Sequence, residues 1–571
     1  MTTHTSRAPS ALVLAALAGL ATAAVPLPAS PSWTSSDGDY STGGAFADVD
    51  TNGFIDLCTS NGNDMALDQN SVYLNHGGTL ETVASWRSTD NGYFGHCYSG
   101  DINNDGLPDL AVGYLGSGGS GELTAKVYEN LGSGLSPTPS WHAGDRHSSF
   151  DCCLGDVDLD GDLDLAISAG DAYSSEIDSV RIYRNQGGVL DTLPVWTAQE
   201  GTASDAVRFC DIDNDGDLDL FVGQRRRISM YRNNSGTLET SPSWVARQNV
   251  GWVLRLAFGD YDRDGFLDLA AAANDQLGDP NSIKVFHNSA GTLDTIATFN
   301  MLRQGSQNYS SCVAWADVND DGWPDLAAGG WWRPAVVFEN RSGTLDTVAT
   351  WSWSPSNRYD LVCEAVLWCD VDNSHLRGRL DEATGNGQRH LFTIRRLGPL
   401  QSLDSVRVNG TLVPGSEYCY DLVAGWVSFE GPPPDQSDVE FFTRVSTNPD
   451  LVVTNWDQSH GNFMFLNSAP VGAAAHTDSP QLPRFTAWPN PGFGMVCVRL
   501  SGSQAPASSR LSIYSRDGRL VRTLTESSRN ESIAWQWVGT DERDTPVPAG
   551  VYFAAAGDEV PRLKLVRIAV Q

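Results

Sequence analysis

Six ten-residue stretches of this chain carry Asp or Asn at positions 1, 3, 5 and 9 and a glycine at position 6. They are DVDTNGFIDL from Asp48, DINNDGLPDL from Asp101, DVDLDGDLDL from Asp156, DIDNDGDLDL from Asp211, DYDRDGFLDL from Asp260 and DVNDDGWPDL from Asp317. Carboxylates crowded in this way repel: two of them about 4 Å apart cost roughly 4 kcal/mol at an effective dielectric near 20. A cation removes that cost. An all-oxygen donor set suits Ca²⁺, which takes about six to eight oxygens, whereas Mg²⁺ demands a stricter octahedron and soft metals prefer sulfur or imidazole.

The expected ligands are Asp48, Asp50, Asn52 and Asp56; Asp101, Asn103, Asp105 and Asp109; Asp156, Asp158, Asp160 and Asp164; Asp211, Asp213, Asp215 and Asp219; Asp260, Asp262, Asp264 and Asp268; and Asp317, Asn319, Asp321 and Asp325. That makes six calcium sites. A weaker seventh is suggested by Asp370 and Asp372 of DVDN together with Asp450, whose Pro449-Asp450-Leu451 matches Pro108-Asp109-Leu110 and Pro324-Asp325-Leu326. The glycine at position 6 supplies positive φ, and the backbone carbonyl at position 7 and water complete the shell. An EF-hand is disfavoured, because position 12 lacks Glu and the flanks read as strands.

The elements that must hold these loops follow from their spacing. Successive loops, including DVDN, start 53, 55, 55, 49, 57 and 53 residues apart, so the unit is one supersecondary element of that length. An aromatic-x-Asn triplet keeps the same beat, ending at Asn75, Asn130, Asn185, Asn233, Asn288, Asn340 and Asn467. So does a large aromatic at Trp33, Trp86, Trp141, Trp196, Trp244, Phe299 and Trp351. The intervening sequence alternates with period two (KVYEN, VRIYRN, IKVFHN) between Gly, Asn and Ser, with no helical stretch.

Four short strands per repeat predict an all-β chain: a seven-bladed β-propeller over residues 31–470, a small β insertion over 376–448 within blade 7, a linker over 471–484, and an Ig-like β-sandwich over 485–571. A linear β-solenoid is the competing layout, with shorter repeats. Because Trp33 precedes the first loop and nothing equivalent follows Asn467, the N-terminal PSWTS segment is expected to supply the outer strand of the last blade and so remove an exposed edge. The insertion reads as a lid or, alternatively, a recognition surface.

These loops resemble the FG-GAP/VCBS repeat family, whose calcium-loop propellers include the heads of integrin α subunits. The resemblance rests on the six DxDxDGxxD-type loops and covers residues 31 to 470. It implies an extracellular binding or adhesion module in which calcium stiffens the ring. The C-terminal stretch resembles the Ig-like domain of flagellar hook-capping proteins and the sorting domains of type IX secretion, through Pro489-Asn490-Pro491, Ile513-Tyr514, Asp517-Gly518-Arg519 and Val547-Pro548-Ala549-Gly550-Val551-Tyr552. This resemblance implies a surface-sorting role, with a plain spacer as the alternative.

Charge and the chain's start agree with export. Residues 1–23 read as a signal peptide, with Arg7 ahead of the apolar run from Ala11 to Val25 and small residues Ala21-Thr22-Ala23 at a cleavage site; no later run is long enough to cross a bilayer. The expected location is extracellular or the bacterial cell surface. With 70 acidic against 37 basic residues and a formal charge of −33, nucleic acid is an unsuitable partner. The expected partner is an extracellular protein or glycan, and nothing fixes the oligomeric state.

The ten cysteines lack the spacing of a disulfide scaffold, leaving buried thiols or cross-strand bridges open. No Ser-His-Asp, HExxH or phosphate-cradling pattern stands out. The alternative function is a secreted, calcium-dependent polysaccharide-degrading enzyme of lyase type. The repeated tryptophans are expected to pack between neighbouring sheets, with sugar stacking as the other use.

Overall fold

The computed structural model describes residues 25–62, 66–115, 124–170, 177–274, 283–301, 309–356, 360–394 and 400–468, and then 484–488, 496–501, 510–515, 519–525, 528–530, 532–537, 540–543, 545, 547–548, 550–555 and 563–567. The signal peptide and the linker expectations fall outside these residues, apart from Arg484. The chain divides into two compact units, residues 1–474 and 475–571.

Short alternating strands separated by tight turns pair with their nearest neighbours, because a hairpin closes the shortest loop. In the first unit this produces four-stranded antiparallel sheets of the β-propeller blade type. The first is Ser41–Ala47, Asp56–Asn61, Ser71–Tyr73 and Trp86–Arg87, paired in chain order. The same order recurs in sheets that begin at Phe94, Cys152, Ser204, Trp252 and Ser310. A seventh sheet joins Cys363–Cys369, Asp450–Asn455, Phe463–Phe465 and, from the chain's start, Trp33–Thr34. Trp33 pairs with Met464 and Thr34 with Phe463, so the N-terminal strand fills the outer position that the end of the unit lacks. No α-helix occurs among the described residues.

The first strand of each sheet lies against the first strand of the next, and Ser41–Ala47 touches both Phe94–Gly100 and Cys363–Cys369, so these strands form a closed cycle. Two sets of side chains tie the cycle together. The Asn of each aromatic-x-Asn triplet donates Nδ2 to the carbonyl at position 8 of its own acidic loop and to the carbonyl at position 2 of the preceding sheet's loop. Asn130 reaches Val49 O at 3.0 Å, Asn185 reaches Ile102 O at 2.6 Å, and Asn233 reaches Val157 O at 2.8 Å. The series closes through Asn75 to Val371 O at 2.8 Å and Asn467 to Val318 O at 2.8 Å.

The outer-strand tryptophans supply the second set. Trp86 Nε1 donates to Leu135 O at 2.6 Å and Trp141 Nε1 to Leu190 O at 3.2 Å, each crossing to the next sheet. Trp33 donates to Leu80 O at 3.1 Å, and Trp351 finds Pro28 O at 3.1 Å in the N-terminal segment. Each ring also meets the triplet aromatic of the next sheet edge-on, as in Trp33 with Tyr73 at 5.7 Å and Trp141 with Tyr183 at 5.3 Å. The edges and N–H groups of these tryptophans are thus used in packing between sheets.

Between the strands Cys363–Cys369 and Asp450–Asn455 the chain leaves the ring for the insertion. Its two sheets are Leu376–Thr384, Asp438–Ser446, Leu400–Val408 and Thr411–Leu412 in spatial order, and Leu391–Thr393, Trp426–Phe429 and Tyr418–Asp421. Phe392, Phe429 and Phe441 lie in the apolar core between them. The second unit contains two further four-stranded sheets: Arg484–Trp488, Val496–Ser501, Ser532–Trp537 and Ser528–Asn530, and Leu520–Thr525, Arg510–Ser515, Gly550–Ala555 and Leu563–Arg567.

On the cysteines, Cys58, Cys97, Cys152, Cys153, Cys369 and Cys419 are buried free thiols. Cys312 Sγ lies 3.4 Å from Cys363 Sγ, across the junction of two neighbouring first strands.

Candidate metal centres

Each acidic loop connects the first two strands of a sheet, and its carboxylates are organised by its own backbone. The Asp at position 1 accepts the amide of position 6: Gly53 N to Asp48 Oδ2 at 2.9 Å, Gly106 N to Asp101 Oδ2 at 2.8 Å, Gly322 N to Asp317 Oδ2 at 2.8 Å. The side chain at position 5 accepts the amide of position 7, as in Phe54 N to Asn52 Oδ1 at 2.8 Å and Leu107 N to Asp105 Oδ1 at 2.9 Å. The Asp at position 9 opens the next strand and accepts backbone amides. For Asp109 these are Ile102 N at 3.0 Å, Asn103 N at 3.3 Å and Asn130 N at 2.7 Å.

That turn needs two residues with positive φ. Position 6 has φ near 88° at Gly53 and 87° at Gly106, where a Cβ would meet nothing within 4 Å, so the dihedral rather than the space selects glycine. Position 4 is also left-handed although no glycine marks it: Thr51 (59°), Asn104 (61°), Leu159 (64°), Asn214 (60°), Arg263 (61°) and Asp320 (56°). Period and composition gave no sign of this.

Ligand atoms of Asp48, Asp50 and Asp56 lie within 4.8 Å of one another, as do those of Asp156, Asp158 and Asp164, of Asp211, Asp213 and Asp215, and of Asp260, Asp262 and Asp268. In the second and sixth loops Asp101, Asn103, Asp105 and Asp109, and Asp317, Asn319, Asp321 and Asp325, share the backbone pattern; Asp321 N is held by Asp317 and Asn319, each at 3.1 Å. In the third loop Asp160 N donates to Asp156 Oδ1 at 3.0 Å, and in the fifth Asp264 N donates to Asp262 Oδ1 at 3.2 Å.

Burial pushes up the carboxyls at position 9 and several at position 1. Asp56 and Asp109 rise to about 7, Asp219 and Asp268 to about 8, with burial the largest cause; the triplet Asn amide pulls the other way in all four, joined by the position 2 amide at Asp56, Asp109 and Asp268 and by Arg232 at Asp219. Asp156 rises to about 7 and Asp317 to about 8. Asp158 Oδ1, Asp211 Oδ1 and Asp213 Oδ1 are buried without a hydrogen-bond partner. Buried carboxylate oxygens that no amide reaches, grouped within a few ångströms, are the donor set of a hard cation, and the residues present fit one.

The seventh loop is assembled across the insertion. Asp370 accepts Ser374 N at 3.0 Å and His375 N at 2.7 Å, and Asp372 Oδ1 accepts Ser374 N at 2.9 Å. Asp450, beyond the insertion in sequence, takes the position 9 role with Val371 N at 2.9 Å and Asn467 N at 2.7 Å. His375 stands where the other loops have glycine. The chain does not turn back there but runs on into Leu376–Thr384.

The sites are not equivalent. Around the fourth loop, which has five carboxylates, the Arg232 guanidinium bonds Asp213 and lies 3.7 Å from Asp219 Oδ2, while Arg389 of the insertion reaches Asp211 Oδ2 at 3.2 Å. In the fifth, His287 Nε2 lies 2.9 Å from Asp262 Oδ2. Arg232 and His287 both occupy the middle of an aromatic-x-Asn triplet, a position whose side chain faces the loop; the repeat made it visible, but its role needs the tertiary contact.

The insertion covers these loops on several sides. A Cβ on Gly161 would come 2.7 Å from Glu430 N, and one on Gly216 would come 2.9 Å from Arg389 Cγ. Arg377 Nη2 donates to Asp320 Oδ2 at 3.1 Å.

Comparison with known proteins matches the FG-GAP-like repeat at residues 48–112 and 211–271. Integrin alpha-5 of Xenopus laevis is 32% identical over 152 residues, which is 23% of this chain and 14% of that protein, so the chain spans only a small part of the relative's length. Among solved structures, a crystal structure of BBS1N in complex with ARL6DN, soaked with lead, aligns at 12% identity over 66% of this chain and 92% of that chain, with a TM-score of 0.32. A crystal structure of an active polycomb repressive complex 2 in the basal state aligns at 10% identity over 55% and 70%, with a TM-score of 0.36. At those scores neither carries an argument. The acidic loops at Asp48, Asp101, Asp211 and Asp260 fall inside the matched segments, and the chain thus carries FG-GAP-like repeats on an all-β framework of four-stranded antiparallel sheets.

Proposed function

We propose that the chain is an exported, calcium-stiffened, seven-bladed β-propeller that binds an extracellular protein or glycan, followed by an Ig-like module of the secretion-sorting kind. The observation that carries this reading is the closed series of asparagine bonds, each tying the acidic loop of one sheet to the loop of its neighbour. It keeps seven loops side by side as one surface, with the insertion standing among them. The likeness to integrin alpha-5 supports an adhesion module on that surface.

In this reading Ca²⁺ neutralises the grouped carboxylates of the six complete loops and of Asp370, Asp372 and Asp450. The chain's own residues position the oxygens, exclude water behind positions 8 and 10, and hold the neighbouring sheets in register. The loop carboxylates are then ligands and not free acids or bases, so the surface binds and does not turn over.

Surface plasmon resonance against a panel of extracellular matrix proteins and an array of glycans tests this, with and without chelator. Binding that is lost in chelator and restored by calcium is the expected result. Cleavage of a uronate polymer, surviving in loop variants and lost in variants elsewhere, would replace the binding reading with the enzymatic one.

A further inference from the structure

The first strands of all seven sheets enclose a cavity of about 400 Å³, and the insertion closes over it through Leu400–Leu403 and Tyr420–Ala424. That volume lies in the range of sites for small organic molecules. The wall is predominantly apolar: Phe209, Phe258, Trp315 and Leu367 face the space. Two arginines interrupt it. Arg208 and Arg255 both line the cavity and share one buried carboxylate, with Arg208 Nη1 2.7 Å from Asp151 Oδ2 and Arg255 Nη1 3.2 Å from Asp151 Oδ1.

His96 Nδ1 approaches the same carboxylate at 3.2 Å, and burial keeps this imidazole neutral at pH 7 by pushing it down to about 4. Two guanidiniums thus meet one carboxylate on the ring side of the cavity. Asp421 of the insertion also faces the cavity, but its oxygens are engaged by Tyr98 Oη at 2.7 Å and by the amides of Val423 and Ala424 at 2.7 and 2.8 Å. Two donors at the cavity have no partner: Arg208 Nη2, on a side chain more than nine-tenths buried, and Trp426 Nε1 of the insertion.

We propose that this cavity binds a small carboxylate with a flat apolar body, its carboxylate received by Arg208 and Arg255 and its body lying against Phe209, Phe258, Trp315 and Leu367. An apolar wall with a few convergent donors selects such a molecule over a sugar, which would leave its hydroxyls unbonded against the aromatic side chains. Asp48, Asp101 and Asp211 of the acidic loops also line the cavity, so the site adjoins the loops, but its assignment to Arg208 and Arg255 does not depend on what the loop surface binds.

The test is isothermal titration of the full, calcium-loaded protein with 2-naphthoate, beside the neutral 2-naphthamide and the cationic 2-naphthylmethylammonium. One naphthoate per chain, bound at least tenfold tighter than the amide, with no uptake of the ammonium, is expected. Ala314→Trp and Leu403→Trp, which fill the cavity from the ring side and from the insertion side, should each abolish the heat while the melting temperature shows the protein folded. Equal binding of naphthoate and naphthamide overturns the anionic assignment. Absence of naphthoate binding, or binding that survives in whichever filled variant folds, overturns the site.

Discussion

Asn130 shows what the triplet asparagine does. Its Nδ2 bridges Val49 O and Pro108 O, and its Oδ1 receives Gly132 N at 2.9 Å, so one buried amide serves two sheets and a turn. Asn130→Ala leaves two carbonyls and an amide in a dry place, and the cost of such orphaned groups is about 1–3 kcal/mol each before relaxation. We expect a loss of roughly 2–4 kcal/mol in urea denaturation of the calcium-loaded protein. A loss under about 0.5 kcal/mol would mean that water or a neighbour replaces the bonds without cost. Asp450 makes the same point for the interrupted loop. Asp450→Asn should lower the calcium stoichiometry by one if Asp370, Asp372 and Asp450 hold an ion, and an unchanged stoichiometry would remove the seventh site.

At the level of the loop, metal and pH are linked. A carboxyl whose folded pKa lies above its unfolded value holds more protons in the folded state, so its contribution favours folding at low pH and is lost as the pH rises. Asp56 and Asp109 at about 7, and Asp219, Asp268 and Asp450 at about 8, start from an unfolded value near 4. In chelator the melting temperature should therefore fall steadily between about pH 4 and pH 8. In millimolar calcium the ion stabilises the ionised form and that fall should largely disappear, with protons released on binding near pH 6. Scanning calorimetry in both conditions checks this, and identical pH profiles would rule out metal at the loops. In the fourth loop Arg232 and Arg389 supply positive charge beside Asp213 and Asp211 that a bound ion would compete with. Arg389→Ala should raise the affinity of one site in a calcium titration.

For the molecule as a whole, closure rests on Trp33–Thr34 pairing with Phe463–Met464, backed by Trp33 on Tyr73 and Trp351 on Pro28 O. Deleting residues 25–36 should expose the edge of Phe463–Phe465, lower the melting temperature by several degrees or more, and promote self-association visible in size-exclusion chromatography, since an unpaired strand edge recruits another chain. A monomeric deletion variant with an unchanged melt would show that the ring does not need the N-terminal strand. Much of this architecture was legible in the sequence because the repeat keeps its punctuation: Asp or Asn and Gly at set positions, Asn two residues after an aromatic, and a large aromatic on the outer strand each report a local conformational need that recurs about every 53 residues. The acidic loops and the strands around them are determined in that way, by short-range geometry. Other features were decided only by tertiary contact: the arginines that enter the fourth loop, Asp450 completing a loop begun at Asp370, and Asp151 held between Arg208 and Arg255. Their partners lie tens to hundreds of residues apart, and no periodic signal in a sequence records a meeting that the closing of the ring alone brings about.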